Sequence, residues 1–402
     1  MIKNESYEKN TLGLRVVVCI HFAVYKVCSY CAYSVVTPSG MEGVRCSDQH
    51  LNQDTRNLTQ SEQQNGQEKH PFQPYCNHPQ QQNLVCIKVH KAASTTMAAI
   101  LERYGWRNNL TLAVPPDRLY GPHILSSSAK FKRHMLRDSN GTFNMITNHV
   151  RYNREEMDIV VPNATYMAII RHPVKHFESG FAYFNVEKVV AKNSTKGEDP
   201  ITVFMKNPEY FWNKKFYFWF QMKNGQMFDL GVDHEDQTGP TVFEAIQKFD
   251  EEFDLIMIAD YFDESLILLR KHLCLAWNDI VYIKDNFRAS DKKTPIAEEV
   301  RRQIEIWNWA DMELYNHFNR TFWQKILDYG AEFDKDLQHF RSLLTETRKQ
   351  CTENDIKRKP GDGHGVMRYV LRQNASEFCK DLLSGDVEYT RMFRERQTKS
   401  IG

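Results

Sequence analysis

Short apolar runs alternate with longer segments of helical spacing over residues 81–345. The apolar runs have the length of buried strands and cover residues 84–89, 143–147, 166–170, 253–258 and 280–283. Apolar side chains at helical spacing follow in residues 177–184, 266–273 and 300–318. Strands that alternate with helices predict an α/β domain, here a P-loop-like, three-layer fold with a central, mostly parallel sheet flanked by helices.

The first predicted strand ends in a polar turn that opens a helix. The turn reads Lys88-Val-His-Lys-Ala-Ala-Ser-Thr-Thr96. The helix that follows carries apolar residues at helical spacing, namely Met97, Ile100, Leu101 and Tyr104. Gly105 stands where a C-terminal cap belongs. Because a helix N-terminus favours anions and the lysines and hydroxyls strengthen that preference, we expect a phosphate or phosphosulfate here.

The spacing of this turn argues against a nucleoside triphosphatase. The P-loop motif requires G-x-x-x-x-G-K-[ST], whereas this turn has no glycine and its hydroxyls begin three residues after Lys91. The plain alternative is an ordinary strand-to-helix turn whose charged side chains face solvent.

A second anion signal follows the strand predicted at residues 166–170. It reads Arg171-His-Pro-Val-Lys-His-Phe-Glu-Ser179, and Pro173 suits a first helical turn. A guanidinium and a hydroxyl form a good phosphate clamp, although Arg171 in a structural salt bridge is the alternative. His90, His149 and Arg171 all follow predicted strands, so we expect them to converge at the carboxyl edge of the sheet.

Charge and cysteine content narrow the class of protein. The net charge of +1 argues against a nucleic-acid-binding protein, which is usually basic. No cysteine or histidine set has zinc spacing apart from Cys28-Ser-Tyr-Cys31, which lacks partners, so no obligatory metal is expected. In an oxidising compartment Cys351 and Cys379 could pair, and Cys86 is expected to be a buried thiol.

The ends of the chain differ in composition from residues 81–345. Residues 1–37 combine basic residues with two apolar runs and predict a signal anchor, and residues 38–80 are polar and predict a flexible stem. Residues 346–402 form a charged C-terminal extension, for which a solvated face is the simplest interpretation. Asn-x-Ser/Thr sequons favour the secretory pathway and occur at Asn57, Asn109, Asn140, Asn163, Asn193, Asn319 and Asn374.

Taken together, the two anion signals resemble the nucleotide sites of sulfotransferases that use 3′-phosphoadenylyl sulfate (PAPS), and in particular the galactose 3-O-sulfotransferase family. The resemblance covers nearly all of residues 81–330. Besides the two signals it rests on Asn148-His-Val-Arg-Tyr-Asn153, Phe177-Glu-Ser-Gly-Phe-Ala-Tyr-Phe184, Met227-Phe-Asp-Leu-Gly231, Ile258-Ala-Asp-Tyr-Phe-Asp-Glu-Ser-Leu266, Tyr315-Asn-His-Phe-Asn319 and Phe322-Trp323. The sequence departs from the family at Val89, where Thr is commoner, and at His172, where Asp is commoner.

The resemblance gives each signal a role. We assign the 5′-phosphosulfate to residues of the first turn, namely Lys88, Lys91, Ala92, Ser94, Thr95 and Thr96. Arg171 and Ser179 are assigned to the 3′-phosphate, and Lys284 and Arg288 are either secondary phosphate contacts or solvated charges. Lys91 is expected to neutralise the leaving oxygen. His90 is the first choice for the general base and His149 the second, with orientation of the acceptor as its alternative role.

These assignments predict an enzyme that transfers a sulfuryl group from PAPS to a glycan or glycolipid, most simply to the 3-hydroxyl of a terminal galactose. The alternatives are a nucleotide-dependent kinase or other phosphotransferase and an inactive carbohydrate-binding protein on the same fold. The resemblance further implies a single-pass type II protein of the Golgi membrane with a lumenal catalytic domain, and it leaves a homodimer open. The aromatic segment 210–220 is expected to pack in the core, with a contact to a sugar or lipid chain as the alternative.

Overall fold

A parallel sheet lies at the centre of the domain. In the computed structural model the described residues are 78–116, 124–138, 140–193, 195, 197–283, 287–288, 295–358 and 366–399. The strands are β1 (Leu84–Ile87), β2 (Met145–Ile146), β3 (Thr165–Ile170), β4 (Leu255–Ile258), β5 (Phe287–Arg288), β6 (Thr352–Arg358) and β7 (Val366–Leu371). The first four pair in parallel in the order β2-β1-β3-β4, and the last three form an antiparallel sheet in the order β5-β7-β6.

Helices cover the parallel sheet. They are α1 (Ser94–Arg107), α2 (Arg154–Val160), α3 (Pro173–Tyr183), α4 (Glu187–Val190), α5 (Pro200–Lys206), α6 (Pro208–Trp212), α7 (Gly225–Asp229), α8 (Gly239–Glu252), α9 (Phe262–Leu273), α10 (Trp277–Ile280), α11 (Glu298–Trp307), α12 (Trp309–Tyr329), α13 (Glu332–Cys351), α14 (Glu377–Leu383) and α15 (Asp386–Lys399). The predicted α/β class with a central parallel sheet is therefore confirmed.

The parallel strands are short and almost completely buried, as their apolar runs predict. Every residue of β1 and β4 is buried, and β3 has only its first residue half-buried. The strand order places β1 between β2 and β3, so the ends of these three strands lie side by side. Residues that directly follow them are brought to one edge of the sheet.

The run 280–283 and the predicted cap at Gly105 differ from the structure. The apolar run 280–283 is mostly buried but is not a strand. Ile280 ends the helical turn α10, in which Asp279 accepts a hydrogen bond from the Ala276 amide (2.9 Å). Gly105 lies inside α1 and does not cap it. A Cβ at Gly105 would collide with the Met145 Sδ, so this glycine allows the helix to pack closely on the sheet.

The C-terminal segment packs on the same core. Cys351 and Cys379 form a disulfide, which confirms their predicted pairing, and Cys86 is a buried free thiol, as predicted. Tyr389 and Phe393 of α15 are fully buried against the central core. Only part of the segment therefore forms a solvated face, and the expected start of the extension at residue 346 falls inside α13.

The localisation predicted from the sequence is corrected. Among the described residues, no helix combines the length and the apolar character needed to cross a bilayer, so the expectation of a type II protein of the Golgi membrane is not upheld. The predicted anchor (1–37) and stem (38–80) fall almost entirely outside the described residues, which begin at His78.

Candidate active site

The turn between β1 and α1 has a rigid, unusual backbone. Lys91 and Ala93 adopt left-handed conformations with φ of 56° and 60°. The Ser94 hydroxyl donates to the Val89 carbonyl (2.5 Å) and closes the turn. The helix begins at Ser94, and the amides of Thr96 and Met97 donate to the Ala93 carbonyl (3.1 and 3.3 Å), which leaves the amides of Ser94 and Thr95 as the donors at the turn. Thr95 and Thr96 are half-buried in the first helical turn, and Ala92 is buried behind it.

Lys88 points away from this turn. Its side chain is 2% exposed and its ammonium forms an ion pair with the buried Asp386 of α15. The predicted contact of Lys88 with the phosphosulfate does not fit this arrangement, because the charge is already neutralised inside the protein. The Lys88 carbonyl accepts a hydrogen bond from the His149 Nδ1 (3.1 Å), so its backbone orients that histidine.

A buried carboxyl lies beside this ion pair. Glu102 of α1 accepts a hydrogen bond from the Thr147 hydroxyl (2.6 Å). Burial, followed by the nearby charge of Asp386, raises the Glu102 pKa well above its usual value. Burial therefore favours the protonated form of Glu102, and the charges of Lys88 and Asp386 neutralise one another beneath the turn.

His90 and Asp229 form a hydrogen-bonded dyad. Both carboxylate oxygens of Asp229 face the His90 Nδ1 at 2.9 and 3.1 Å, and the His90 amide donates to the same carboxylate at 2.7 Å. Gln221 donates a further hydrogen bond to Asp229 (2.8 Å). Since a carboxylate only accepts, the hydrogen of neutral His90 is on Nδ1 and Nε2 is left as a proton acceptor.

The two predicted histidines lie together. The rings of His90 and His149 stack at 4.3 Å between centroids with an interplanar angle of 18°. His149 also carries its hydrogen on Nδ1, since that atom donates to a carbonyl. Each ring of the stacked pair therefore has its Nε2 as the nitrogen that can accept a proton.

A third histidine lies behind the dyad. His176 of α3 is 2% exposed, and its Nε2 has no hydrogen-bond partner among the described residues. Burial lowers the His176 pKa to about 4, although the charge of Asp229 opposes the shift. His176 is therefore neutral at physiological pH and adds no charge beside His90.

Arg171 reaches the turn from the end of β3. Its guanidinium donates to the Lys91 carbonyl (3.2 Å), while Gln226 accepts from its amide (2.7 Å) and donates to its carbonyl (2.8 Å). His172 caps α3, because its Nδ1 accepts a hydrogen bond from the Val174 amide (3.3 Å). Ser179 lies two turns farther along α3 and is half-buried, so the hydrogen bonding links Arg171, and not Ser179, to the turn.

The structure thus brings together His90, Lys91, His149 and Arg171, as expected from their positions after neighbouring strands. The Arg288 backbone lies in β5, but its side chain and all of Lys284 fall outside the described residues. Sequence analysis assigned no role to Asp229, Gln226 or Asp386. Asp229 does occur in the motif Met227-Phe-Asp-Leu-Gly231, which was the available signal, whereas Asp386 stands in no motif.

The fold and this site define a sulfotransferase-like α/β protein. The sequence matches the galactose-3-O-sulfotransferase family over residues 7–362, and the chain therefore belongs to that family, whose members are enzymes. Galactosylceramide sulfotransferase of Bos taurus is 30% identical over 329 residues, 76% of this chain and 77% of the relative. Galactose-3-O-sulfotransferase 3 of Mus musculus is 31% identical over 340 residues, 79% and 78% of the two chains. Galactose-3-O-sulfotransferase 2 of Mus musculus is 32% identical over 257 residues, 61% and 62% of the two chains.

Proposed function

We propose that this chain transfers a sulfuryl group from PAPS to a hydroxyl of a galactose-containing glycan or glycolipid, most simply the 3-hydroxyl of a terminal galactose. The observation that carries the proposal is the His90–Asp229 dyad in a cationic turn at a helix N-terminus. The names of the relatives supply the acceptor class, since they act on galactose or galactosylceramide.

The residues of the turn suit a phosphosulfate group. Lys91 carries positive charge at the turn, the first amides of α1 are donors, and Thr95 and Thr96 add hydroxyls. Arg171 contributes a guanidinium that touches the Lys91 carbonyl. We assign the 5′-phosphosulfate to this set without Lys88 and retain Arg171 and Ser179 for the 3′-phosphate. Two further statements stay predictions, namely that Arg288 contacts the donor and that the reaction requires no metal ion.

The donor supplies an activated sulfuryl group, and the protein supplies position and charge. In our proposal His90 Nε2 accepts the hydroxyl proton of the sugar as the oxygen–sulfur bond forms. Asp229 stabilises the resulting imidazolium through Nδ1. Lys91 and the helix amides stabilise the negative charge that develops on the leaving phosphate oxygen. His149, held by the Lys88 carbonyl, is assigned to orienting the acceptor.

The test is transfer of labelled sulfate from PAPS to a panel of terminal galactosides by the full chain. We expect Lys91→Ala to weaken PAPS binding and His90→Gln to preserve binding while abolishing transfer. Lys188→Ala is the matched control, because Lys188 is an exposed lysine on α4, and it should behave as wild type. A 3-deoxygalactoside should not accept sulfate if the 3-hydroxyl is the site of transfer.

The other outcomes point to different functions. Transfer of phosphate from labelled ATP with no use of PAPS would indicate a phosphotransferase. Binding of a galactoside without transfer from PAPS would indicate a carbohydrate-binding protein. Unchanged PAPS affinity in Lys91→Ala and Arg171→Ala would remove the basis of the donor site.

A further inference from the structure

An aromatic wall, which we define as Tyr183, Phe184, Tyr217 and Phe218, lines the site beside His90. The rings of Phe184 and Phe218 stack at 4.4 Å with an interplanar angle of 8°. Tyr183 meets Phe184 edge-on at 5.2 Å, and Tyr217 meets Phe218 edge-on at 4.5 Å. Rings from α3 and from the loop after α6 thus form one continuous aromatic surface.

Lys91 and His90, to which the proposed function assigns the reaction, both contact this wall. The Lys91 ammonium lies 3.5 Å from the ring centroid of Tyr183. The ring of Phe218 meets His90 edge-on at 5.6 Å between centroids. The wall therefore extends from the cation proposed to bind the phosphosulfate to the proposed general base.

The wall is exposed at its ends and held in place at its centre. Tyr217 is 78% exposed and Tyr183 is 41% exposed, whereas Phe184 is buried. Phe218 has a φ of 59°, a left-handed conformation that is uncommon for a bulky residue and that concentrates at functional sites. Stacking on Phe184 and a contact with Phe220 (5.2 Å) hold the Phe218 ring beside His90.

We propose that the aromatic wall is the acceptor subsite, on which Tyr217 and Phe218 pack against the apolar C–H face of the galactose ring. The inference rests on the function proposed above and adds the residues that bind the sugar. Galactose carries its axial 4-hydroxyl on one face, so the opposite face is lined by C–H groups and matches an aromatic ring. Tyr183 closes the side of the subsite nearest Lys91.

The location of the wall favours the sugar over the adenine of PAPS, which also stacks on aromatic rings. A general base lies within hydrogen-bonding reach of the hydroxyl that it deprotonates. The sugar that bears this hydroxyl must then lie next to His90, and Phe218 is the ring of the wall that borders this position. Wall variants should accordingly change acceptor binding and leave donor binding unaltered.

The experiment compares Tyr217→Ala and Phe218→Leu with wild type in the full chain. Loss of one aromatic contact predicts a KM for methyl β-galactoside that rises about tenfold, with kcat within about twofold. The dissociation constant for PAPS should not change. Tyr217→Trp should restore the KM, because the subsite requires an aromatic face and not a hydroxyl.

Tyr210→Ala is the matched control. Tyr210 is also an exposed tyrosine of the same aromatic segment, at 48% exposure, but its ring contacts Phe211 and not the wall. This variant should retain the wild-type KM, kcat and thermal midpoint. Equal effects of Tyr210→Ala and Tyr217→Ala would mean that the segment is only structural and would overturn the proposal.

Two other outcomes would also overturn it, and a third separates it from the proposed function. Weaker PAPS binding in Tyr217→Ala would assign the wall to adenine. A raised KM for galactosylceramide with an unchanged KM for methyl β-galactoside would assign it to a lipid chain. If wild type transfers no sulfate, the function proposed above fails. Saturation-transfer NMR with methyl β-galactoside then still tests whether the wall binds the sugar. Tyr217→Ala must lose a signal that Tyr210→Ala keeps.

Discussion

At the scale of single residues, Asp229 sets the chemistry of His90. It accepts hydrogen bonds from the His90 ring, the His90 amide and Gln221, and it is almost fully buried. Hydrogen bonds from three donors to one buried carboxylate fix both its position and the tautomer of the imidazole that it faces.

We expect Asp229→Asn to lower kcat by about 10²-fold or more, by analogy with other histidine–carboxylate pairs. The asparagine amide faces the His90 Nδ1 either with its oxygen, which is a weaker acceptor than a carboxylate, or with its NH2 group, which is a donor. The donor favours the tautomer with hydrogen on Nε2. That nitrogen can then no longer accept a proton. The measurement is steady-state transfer at saturating donor, together with PAPS affinity, which should stay at the wild-type value.

Asp233→Asn provides the control for this substitution. It makes the same chemical change four residues away, where the carboxylate pairs with Lys130 (3.0 Å) and Arg151 (2.6 Å). Transfer by Asp233→Asn should stay close to wild type. A kcat for Asp229→Asn that equals the control would contradict a role of Asp229 in orienting the base.

The convergence of His90, His149 and Arg171 could be predicted, because the ends of adjacent parallel strands share one edge. Asp229 could not be placed in the same way. It lies on the short helix α7, which is positioned by Asp311 through hydrogen bonds to the amides of Gln226 (3.2 Å) and Met227 (2.8 Å). Such long-range polar contacts leave no periodic pattern in the sequence.

At the scale of elements, α15 supports α1 and the turn before it. Gln397 pairs with both backbone groups of Leu112 (2.9 and 3.1 Å), and Arg394 donates to the Pro115 carbonyl (2.8 Å). Asp386 at the start of α15 holds Lys88. This helix lies beyond residue 362, where the match to the family ends, yet it contributes a charge beneath the active-site turn.

We expect Lys88→Met and Asp386→Leu each to cost about 3–5 kcal/mol of unfolding free energy, because each leaves a buried charge without its partner. The double variant should cost much less than the sum, since an apolar pair replaces the ions. Its PAPS affinity should match wild type if Lys88 does not bind the donor. Urea unfolding of wild type, the two single variants and the double variant provides the unfolding free energies, and titration with PAPS provides the donor affinities.

The control pair is Arg107 and Asp381, which joins α1 to α14 at 2.9 Å and is about one-third exposed. Removing either partner should cost about 1 kcal/mol or less. Loss of PAPS binding by a stably folded Lys88→Met/Asp386→Leu protein would restore the donor role that the sequence assigned to Lys88.

Apolar patterns do not determine where a helix ends or whether a buried run forms a strand. The predicted helix 300–318 is two helices, α11 and α12, because the Asn308 side chain donates to the Ile304 carbonyl (2.9 Å) and accepts from the Asn224 amide (2.8 Å). The run 280–283 is apolar because it is buried, and burial alone does not distinguish a strand from a loop.

At the scale of the whole molecule, buried neutral histidines link stability to pH. The His176 pKa is lowered to about 4 by burial, whereas an unfolded histidine titrates near 6.5. Between these values the unfolded chain binds a proton that the folded chain does not bind, so acidification favours unfolding. Burial also lowers the pKa values of His172, His234 and His272, which act in the same direction.

We expect the unfolding free energy to fall as the pH is lowered from about 6.5 towards 4, and His176→Gln to reduce this loss by up to about 3 kcal/mol. Urea unfolding at pH 7 and pH 5 measures the slope. His317→Gln is the control, because His317 is half-buried and pairs with Asp250 at 3.3 Å. Equal slopes in wild type and His176→Gln would show that His176 does not contribute to acid sensitivity.

The left-handed pair in the active-site turn has a consequence for the whole catalytic cycle. Lys91 and Ala93 occupy a backbone region that costs a non-glycine residue about 1–2 kcal/mol. Folding supplies that energy, so the turn has its shape before the proposed donor binds. A glycine-rich loop loses conformational entropy each time a ligand binds. This turn is already ordered in the folded protein, so each turnover avoids that cost.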